Sequence, residues 1–202
     1  MKILNNEISP GSKLNIEDIS SELGVSRTPI REALLRLKQS GLVIALPCVG
    51  FFVCGITKKD FEDIFEIRRL IESYAIGKLV EKITNEEIQY LTDLSKQCEL
   101  MVEQGNITEY NDFDSKLHGF IIDSMGNSKM GDFFESIKDL AYRMRMYALR
   151  SPENVSKSLL EHKDIIDALV QRDEVRARAA MDEHITNIGN RLRLLVDFQD
   201  EP

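Results

Sequence analysis

From Thr57 onward the apolar residues recur at three- and four-residue intervals and never revert to alternation, which confines this part of the chain to amphipathic helices packed against one another. Start signals divide the run. Thr57 and Thr84 are N-cap candidates, the second followed by Glu87 as in a capping box, while Ser151 precedes Pro152 and Asp173 follows a polar break. Six helices are predicted, at 58–83, 85–104, 107–125, 128–150, 152–171 and 173–198. Short connections make an all-α bundle over 57–202.

The first 56 residues follow different rules. Pro10-Gly11 marks a turn and Asn15 an N-cap, and Ile16, Ile19, Leu23 and Val25 supply the apolar positions of a short helix stopped by Gly24. Ser26 offers a second N-cap with Pro29 in the first turn. Ile30, Ala33, Leu34 and Leu37 then form one stripe, and Gly41 ends the helix. Two β-rich runs, "LVIALP" and "FFVCGI", are joined by Cys48-Val49-Gly50 as a hairpin. Helix, glycine turn, helix and hairpin make a winged helix-turn-helix, so the expected fold is mainly α: a winged unit over 1–56 followed by the bundle.

Charge divides the chain at the same place. Residues 1–57 carry 6 Lys/Arg against 5 Asp/Glu and the remainder 20 against 29, a balance of +1 and then -9 within a net charge of -8. The two parts therefore suit different partners, and indiscriminate nucleic-acid binding by the whole surface is excluded. Three cysteines, Cys48, Cys54 and Cys98, lack metal-type spacing and read as reduced, mostly buried thiols. The uncharged run 42–56 is 15 residues, against about 20 for a membrane span, and nothing at the start reads as a secretory leader. A cytoplasmic location without membrane attachment is the expectation.

Arg27, Thr28 and Arg31 cluster at the start of the second helix, where positive dipole and free N–H groups suit phosphate and where arginine can reach guanine edges. The stretch "PGSKLNIEDISSELGVSRTPIREALLRLKQSGLV" resembles the DNA-binding domain of the GntR family of bacterial transcription regulators. The resemblance implies double-stranded operator DNA as partner, with Ser26, Arg27, Thr28 and Arg31 as contacts, Arg36 as a further one and Gly50 at the wing tip. Three departures stand out. Val49 occupies the place before Gly50 where a basic residue is usual, Leu35 is apolar on the exposed side and is a candidate contact with the bundle, and "MKILNNEI" is short where a longer first helix normally packs.

Asp114 and His118 stand at i and i+4 and share one helical face, an arrangement that fits either a metal-ligand pair or a polar pair on a solvated surface. The other two histidines, His162 and His184, lie on separate helices near their apolar stripes. Glu66-Ile67-Arg68 with Glu72, Asp114 with His118, Gly126-Asn127, Glu161-His162, Met181 and His184-Ile185 resemble in order and spacing the FCD ligand-binding domain of the FadR subfamily, in its six-helix, VanR-like form. That resemblance implies a divalent metal, Zn or Ni, on Asp114, His118, His162 and His184, and an effector near Arg68. Arg143 and Arg145 are further pocket candidates; Glu161 and Glu183 are expected to face solvent.

The first functional reading is a homodimeric, metal-dependent regulator that a small carboxylic acid releases from DNA. A metal-dependent hydrolase is the second, weakened by the absence of a general base beside the histidines. A regulator with a purely structural metal is the third.

Overall fold

The computed structural model describes residues 2–148 and 151–199, without the side chains of 107 and 108. Strand β1 (Lys13–Leu14), helices α1 (Ile16–Leu23) and α2 (Arg27–Gln39) and strands β2 (Val43–Leu46) and β3 (Gly50–Val53) form the amino-terminal unit. The antiparallel sheet runs β1-β3-β2, with Val43 opposite Val53 and Leu46 opposite Gly50. Strand β1 was not foreseen. Two residues carry no alternation, and they become a strand only because the chain leaving the Pro10-Gly11 turn meets β3, where the Gly11 N–H donates to the Val53 carbonyl and the Val53 N–H to the Ser12 carbonyl.

The caps act as the sequence implies. Asn15 accepts from the Glu17 N–H, Gly24 closes α1 at φ +66°, and Ser26 stands at the N-cap of α2 without a side-chain cap bond. The core of this unit gathers Leu14, Ile30, Leu34, Leu42, Val43, Phe51 and Val53, joined by Ile3. Three expected core positions fall outside it. Leu23 is 62% and Val25 43% exposed, because the two-turn α1 meets the core only through Ile16 and Ile19, and Ala33 faces solvent on α2, whose core contacts are Ile30, Leu34 and Leu37.

The bundle comprises α3 (Lys58–Val80), α4 (Asn85–Glu103), α5 (Ile107–Asp123), α6 (Ser128–Ala148), α7 (Pro152–Val170) and α8 (Glu174–Arg193). Thr57 with Asp60 and Thr84 with Glu87 close reciprocal capping boxes, and Asp173 caps α8 by accepting from the Arg176 N–H. Helix α3 stops three residues before its predicted end. Helix α8 stops at Arg193 rather than 198: the chain turns at the exposed Leu194 and runs back until the Gln199 N–H reaches the Ile56 carbonyl at 3.0 Å. The last two residues of the predicted fourth helix, 149–150, lie outside the described residues.

Helix α8 packs between α3 and α7, and α5 lies against α3, α4 and α6. Around Phe61, Ile76, Leu91, Leu117, Ile165, Met181 and Ile185 the core is continuous, each of these side chains at most 2% exposed. At about 1.5–3 kcal/mol per fully buried large apolar side chain, this core holds the helices rigidly enough to fix polar groups at its centre. Cys98 is buried and Cys54 half-buried, whereas Cys48 is exposed on the wing, contrary to the expectation for it. Among the described residues no helix is long and apolar enough to cross a membrane.

Candidate functional site

Asp114 and His118 on α5, His162 on α7 and His184 on α8 all point into the middle of the bundle, none more than 2% exposed. Their nearest donor atoms lie within 4.8 Å of one another. His184 Nε2 stands 3.1 Å from His162 Nε2 and 3.3 Å from His118 Nε2, while Asp114 Oδ1 is 3.6 Å from His162 Nε2 and 3.8 Å from His118 Nε2. Two bonds of about 2.1 Å meeting at 90–110° span about 3.0–3.4 Å, so this spacing suits donors gathered about one small cation.

Protonation makes the argument stronger. His118 Nδ1 contacts Glu72 Oε2, and His184 Nδ1 lies 2.9 Å from Glu161 Oε2. Burial opposes ionisation of both carboxyls, yet Arg68 and His118 hold Glu72 down at about 2, and Arg191 with His184 does the same for Glu161, also at about 2. Ionised carboxylates only accept, so each imidazole carries a proton on Nδ1, and in the neutral ring a metal ligand requires, this leaves the Nε2 lone pair facing inward. Two lone pairs then face each other at 3.3 Å. A proton on His162 Nε2 could satisfy His184, but nothing of the protein separates His118 from His184. Burial, with the neighbouring histidine, holds His162 well below its usual range, and burial lowers His184 as well, so both are neutral donors. His162 Nδ1 has no hydrogen-bond partner among the described residues, its ring being fixed by Tyr110 stacked on it and the edge of Phe113. Three imidazoles and one carboxylate fit a divalent N,O-binding ion such as Zn or Ni.

Each buried carboxylate has its arginine. Arg68 Nε donates to Glu72 Oε1 at 2.6 Å, Arg145 Nη1 lies 2.7 Å from Asp114 Oδ2, and Arg191 grips Glu161 with both terminal nitrogens at 2.6 and 2.8 Å. Burial opposes the charge on Asp114, but Arg145 and the histidines keep its carboxyl well below the carboxylate range. Glu161 was expected in solvent and instead orients His184; Glu183 is exposed as expected. The signal for Glu161 was available, since Asn187 and Arg191 follow His184 at i+3 and i+7 and bind the same carboxylate. Replacing Glu161 by Gln should weaken metal binding about tenfold, measured by competition with a chromophoric chelator, because the amide no longer fixes the His184 tautomer.

A cavity of about 490 Å³ opens between α5 and α6 and meets the cluster at His118, with Arg68, Ser115, Tyr142 and Arg145 on its wall. Arg68 and Arg145, two of the expected pocket residues, thus lie on its wall. Arg143 does not line this cavity. Successive helical residues turn by about 100°, so Arg143 points almost oppositely to Arg145 and leaves the bundle core for the winged unit. There it is fully buried, its Nε donating to Asn6 Oδ1 at 2.9 Å and its Nη1 to the Cys54 carbonyl at 2.6 Å, while Asn6 Nδ2 donates to the Arg143 carbonyl at 3.0 Å.

A second site lies on the winged unit. The exposed Arg27, Thr28 and Arg31 stand at the start of α2 and, with Leu35 and Lys38, line a groove whose other wall is the hairpin from Ala45 to Phe51. Leu35 thus faces the wing rather than the bundle, and Gly50 stands where β3 begins. Arg36 is exposed but points away from this groove; Lys38, one helical turn beyond Leu35 and passed over in the sequence, takes its side.

Residues 63–187 match the FCD domain and residues 1–53 match the bacterial regulatory proteins of the gntR family. The chain belongs to the FCD-containing GntR regulators. Over 196 residues it is 26% identical to an HTH-type transcriptional regulator of Bacillus subtilis, YdhC, covering 96% of this chain and 88% of that one. It is 26% identical over 186 residues to the Escherichia coli transcriptional repressor RspR, covering 92% and 82%. E. coli McbR superposes with a TM-score of 0.81 at 21% identity, over 96% of this chain and 92% of that chain, which shows a common fold. This GntR-family chain is a transcription regulator built to bind operator DNA, and its relatives are regulators rather than enzymes.

Proposed function

We propose that this regulator senses a small organic acid at a divalent-metal site formed by Asp114, His118, His162 and His184, and that as a homodimer it adjusts its hold on operator DNA accordingly. The observation that carries the reading is the meeting of three imidazole Nε2 atoms, two of them, on His118 and His184, aimed inward by Glu72 and Glu161 behind the rings. A Zn or Ni ion held there would add positive charge beside Arg68 and Arg145, whose own charges are cancelled by Glu72 and Asp114, and would offer open positions to a carboxylate. The cavity at His118 falls within the size range of small-molecule sites, and its two arginines can receive the acid's oxygens. On the winged unit, Ser26, Arg27, Thr28 and Arg31 are the proposed operator contacts, together with the wing at Gly50.

Helix α6 supplies the coupling. Arg145 Nη1 donates to Asn111 and Ser115 and is ion-paired with Asp114, and an acid in the cavity competes for this guanidinium. Any resulting turn of α6 is transmitted by Arg143 to Asn6 and to the Cys54 carbonyl just after β3. Asn6 has φ +55°, a conformation that glycine adopts freely, so Asn6→Gly removes both side-chain bonds to Asn6 without straining the backbone and leaves Arg143 only the Cys54 carbonyl. The variant should keep its metal but lose most of the effector response, which in coupled systems is worth about 5- to 150-fold in affinity. Operator binding with and without acid, by fluorescence anisotropy, measures it.

The reading as a whole is tested by selecting operator duplexes from a random pool with the full chain, loading the protein with Zn or Ni, and titrating a panel of small mono-, di- and tricarboxylic acids. At least one acid should change operator affinity in the metal-loaded protein and not after chelation. If none does, the metal is structural and the sensing role fails.

A further inference from the structure

The wing lacks its own cation. Val49, 53% exposed, fills the tip position ahead of Gly50, and no Lys or Arg occurs between Val43 and Val53. Strand β1 brings one there from elsewhere in the sequence. Lys13 pairs with Phe52, so the two side chains leave the same face of the sheet, and Gly50, two residues before Phe52, shares that face. Having no side chain, Gly50 leaves the space along which the Lys13 stem lies: a Cβ at Gly50 would stand 3.2 Å from Lys13 Cε and 4.0 Å from Nζ. Gly50 also has φ +133°, where other residues are strained, so the position holds both the wing's bend and the path of the lysine.

The surroundings suit an anion. Lys13, Arg27, Arg31 and Lys38 line the groove against one carboxylate, Glu17, which is occupied by Arg27 at 3.0 Å. Lys13, Arg31 and Lys38 have no ion-pair partner among the described residues. On a chain of net charge -8, this exposed cationic cluster is a local positive field that draws in a polyanion.

We propose that Lys13 supplies the wing's cationic contact to the sugar-phosphate backbone of operator DNA, reaching it over the bare backbone of Gly50. The contact is to phosphate, so it adds affinity for any duplex without selecting sequence. Lys13, carried on a two-residue strand far from the wing in sequence, thereby supplies a cation beside a tip at which Val49 offers none.

The test uses the full-length protein and a fluorescein-labelled 30-bp duplex of mixed sequence, titrated at salt concentrations from 50 to 200 mM. Lys13→Gln should bind about five- to tenfold more weakly at 50 mM salt, and the slope of log Kobs against log salt should fall by about 0.9 for each subunit bound. Lys13→Arg should restore the slope. An unchanged slope, whether affinity holds or falls, overturns the proposal, because a merely structural lysine would alter affinity without altering counterion release. Arg31→Ala, run alongside, separates this from the DNA-binding role itself: if the wild-type chain shows no salt-dependent binding, both fail together, whereas a normal wild-type slope matched by Lys13→Gln sinks Lys13 alone.

Discussion

Replacing His162 by Ala should strip the purified chain of its metal, from about one divalent ion per chain to near none by elemental analysis. The side chain is fully buried and its Nε2 lies within 3.6 Å of both His184 Nε2 and Asp114 Oδ1, so its loss opens the side of the cluster facing α7 and no neighbour can take over. The same site sets the response to chelation. An ion present at a hundred times its Kd stabilises the folded state by about 2.7 kcal/mol, and a chain of this size gains about 2–4 °C for each kcal/mol. Wild-type protein should therefore melt about 5–10 °C lower in excess chelator, and added Zn or Ni should leave the melting point of His162→Ala unmoved. Tight, full occupancy in the variant would mean that the cluster is not the metal site.

Arg31→Ala should weaken operator binding by about 1–3 kcal/mol, roughly 5- to 150-fold, and relax the preference at one base pair of each half-site. Arg31 is exposed on the groove side of α2, one turn after Arg27, and carries no ion pair that would hold it back from a base. Arg27 differs, since its exposed bond to Glu17 must be exchanged for the DNA contact; such surface pairs are worth at most about 1 kcal/mol and exchange readily. Arg36→Ala provides the contrast. Because that side chain points away from the groove, operator affinity should change by less than about twofold, and a large loss there would mean that α2 docks on a different face.

The two variants divide the molecule. His162→Ala should leave binding to a mixed-sequence duplex intact while abolishing the acid response, and Arg31→Ala should do the opposite. Asn6→Gly should keep both functions and break the link between them, a result that neither site alone can produce.

Local chemistry was legible wherever a residue acts on its own neighbours. The caps at Asn15, Thr57, Thr84 and Asp173, the αL stop at Gly24 and the i,i+4 pairing of Asp114 with His118 all concern groups within one or two helical turns, so their consequences can be read from order alone. Periodicity also placed His162 and His184 near apolar stripes, which is why their burial was foreseeable. Ala33 and Val25 went astray for the same reason: a stripe shows which side of a helix is apolar, not how far the core extends to meet it.

What order along the chain could not supply was direction in three dimensions. Only the packing of α3, α7 and α8 decides that Glu72 and Glu161 sit behind two histidines and turn their lone pairs inward, converting a buried polar cluster into a set of donors. Arg143 and Arg145 look equivalent as residues two apart on one helix; the helical turn sends one to the cavity and the other to Asn6. Strand β1 has no pattern of its own and exists because β3 is there to pair with it, and that pairing alone puts Lys13 beside Gly50. Sequence settled the helices and the winged unit, since these follow from bonds and burial over a few neighbouring positions. Tertiary structure settled which residues face one another, since that depends on contacts between segments far apart in sequence, such as Asn6 and Arg143, 137 residues apart.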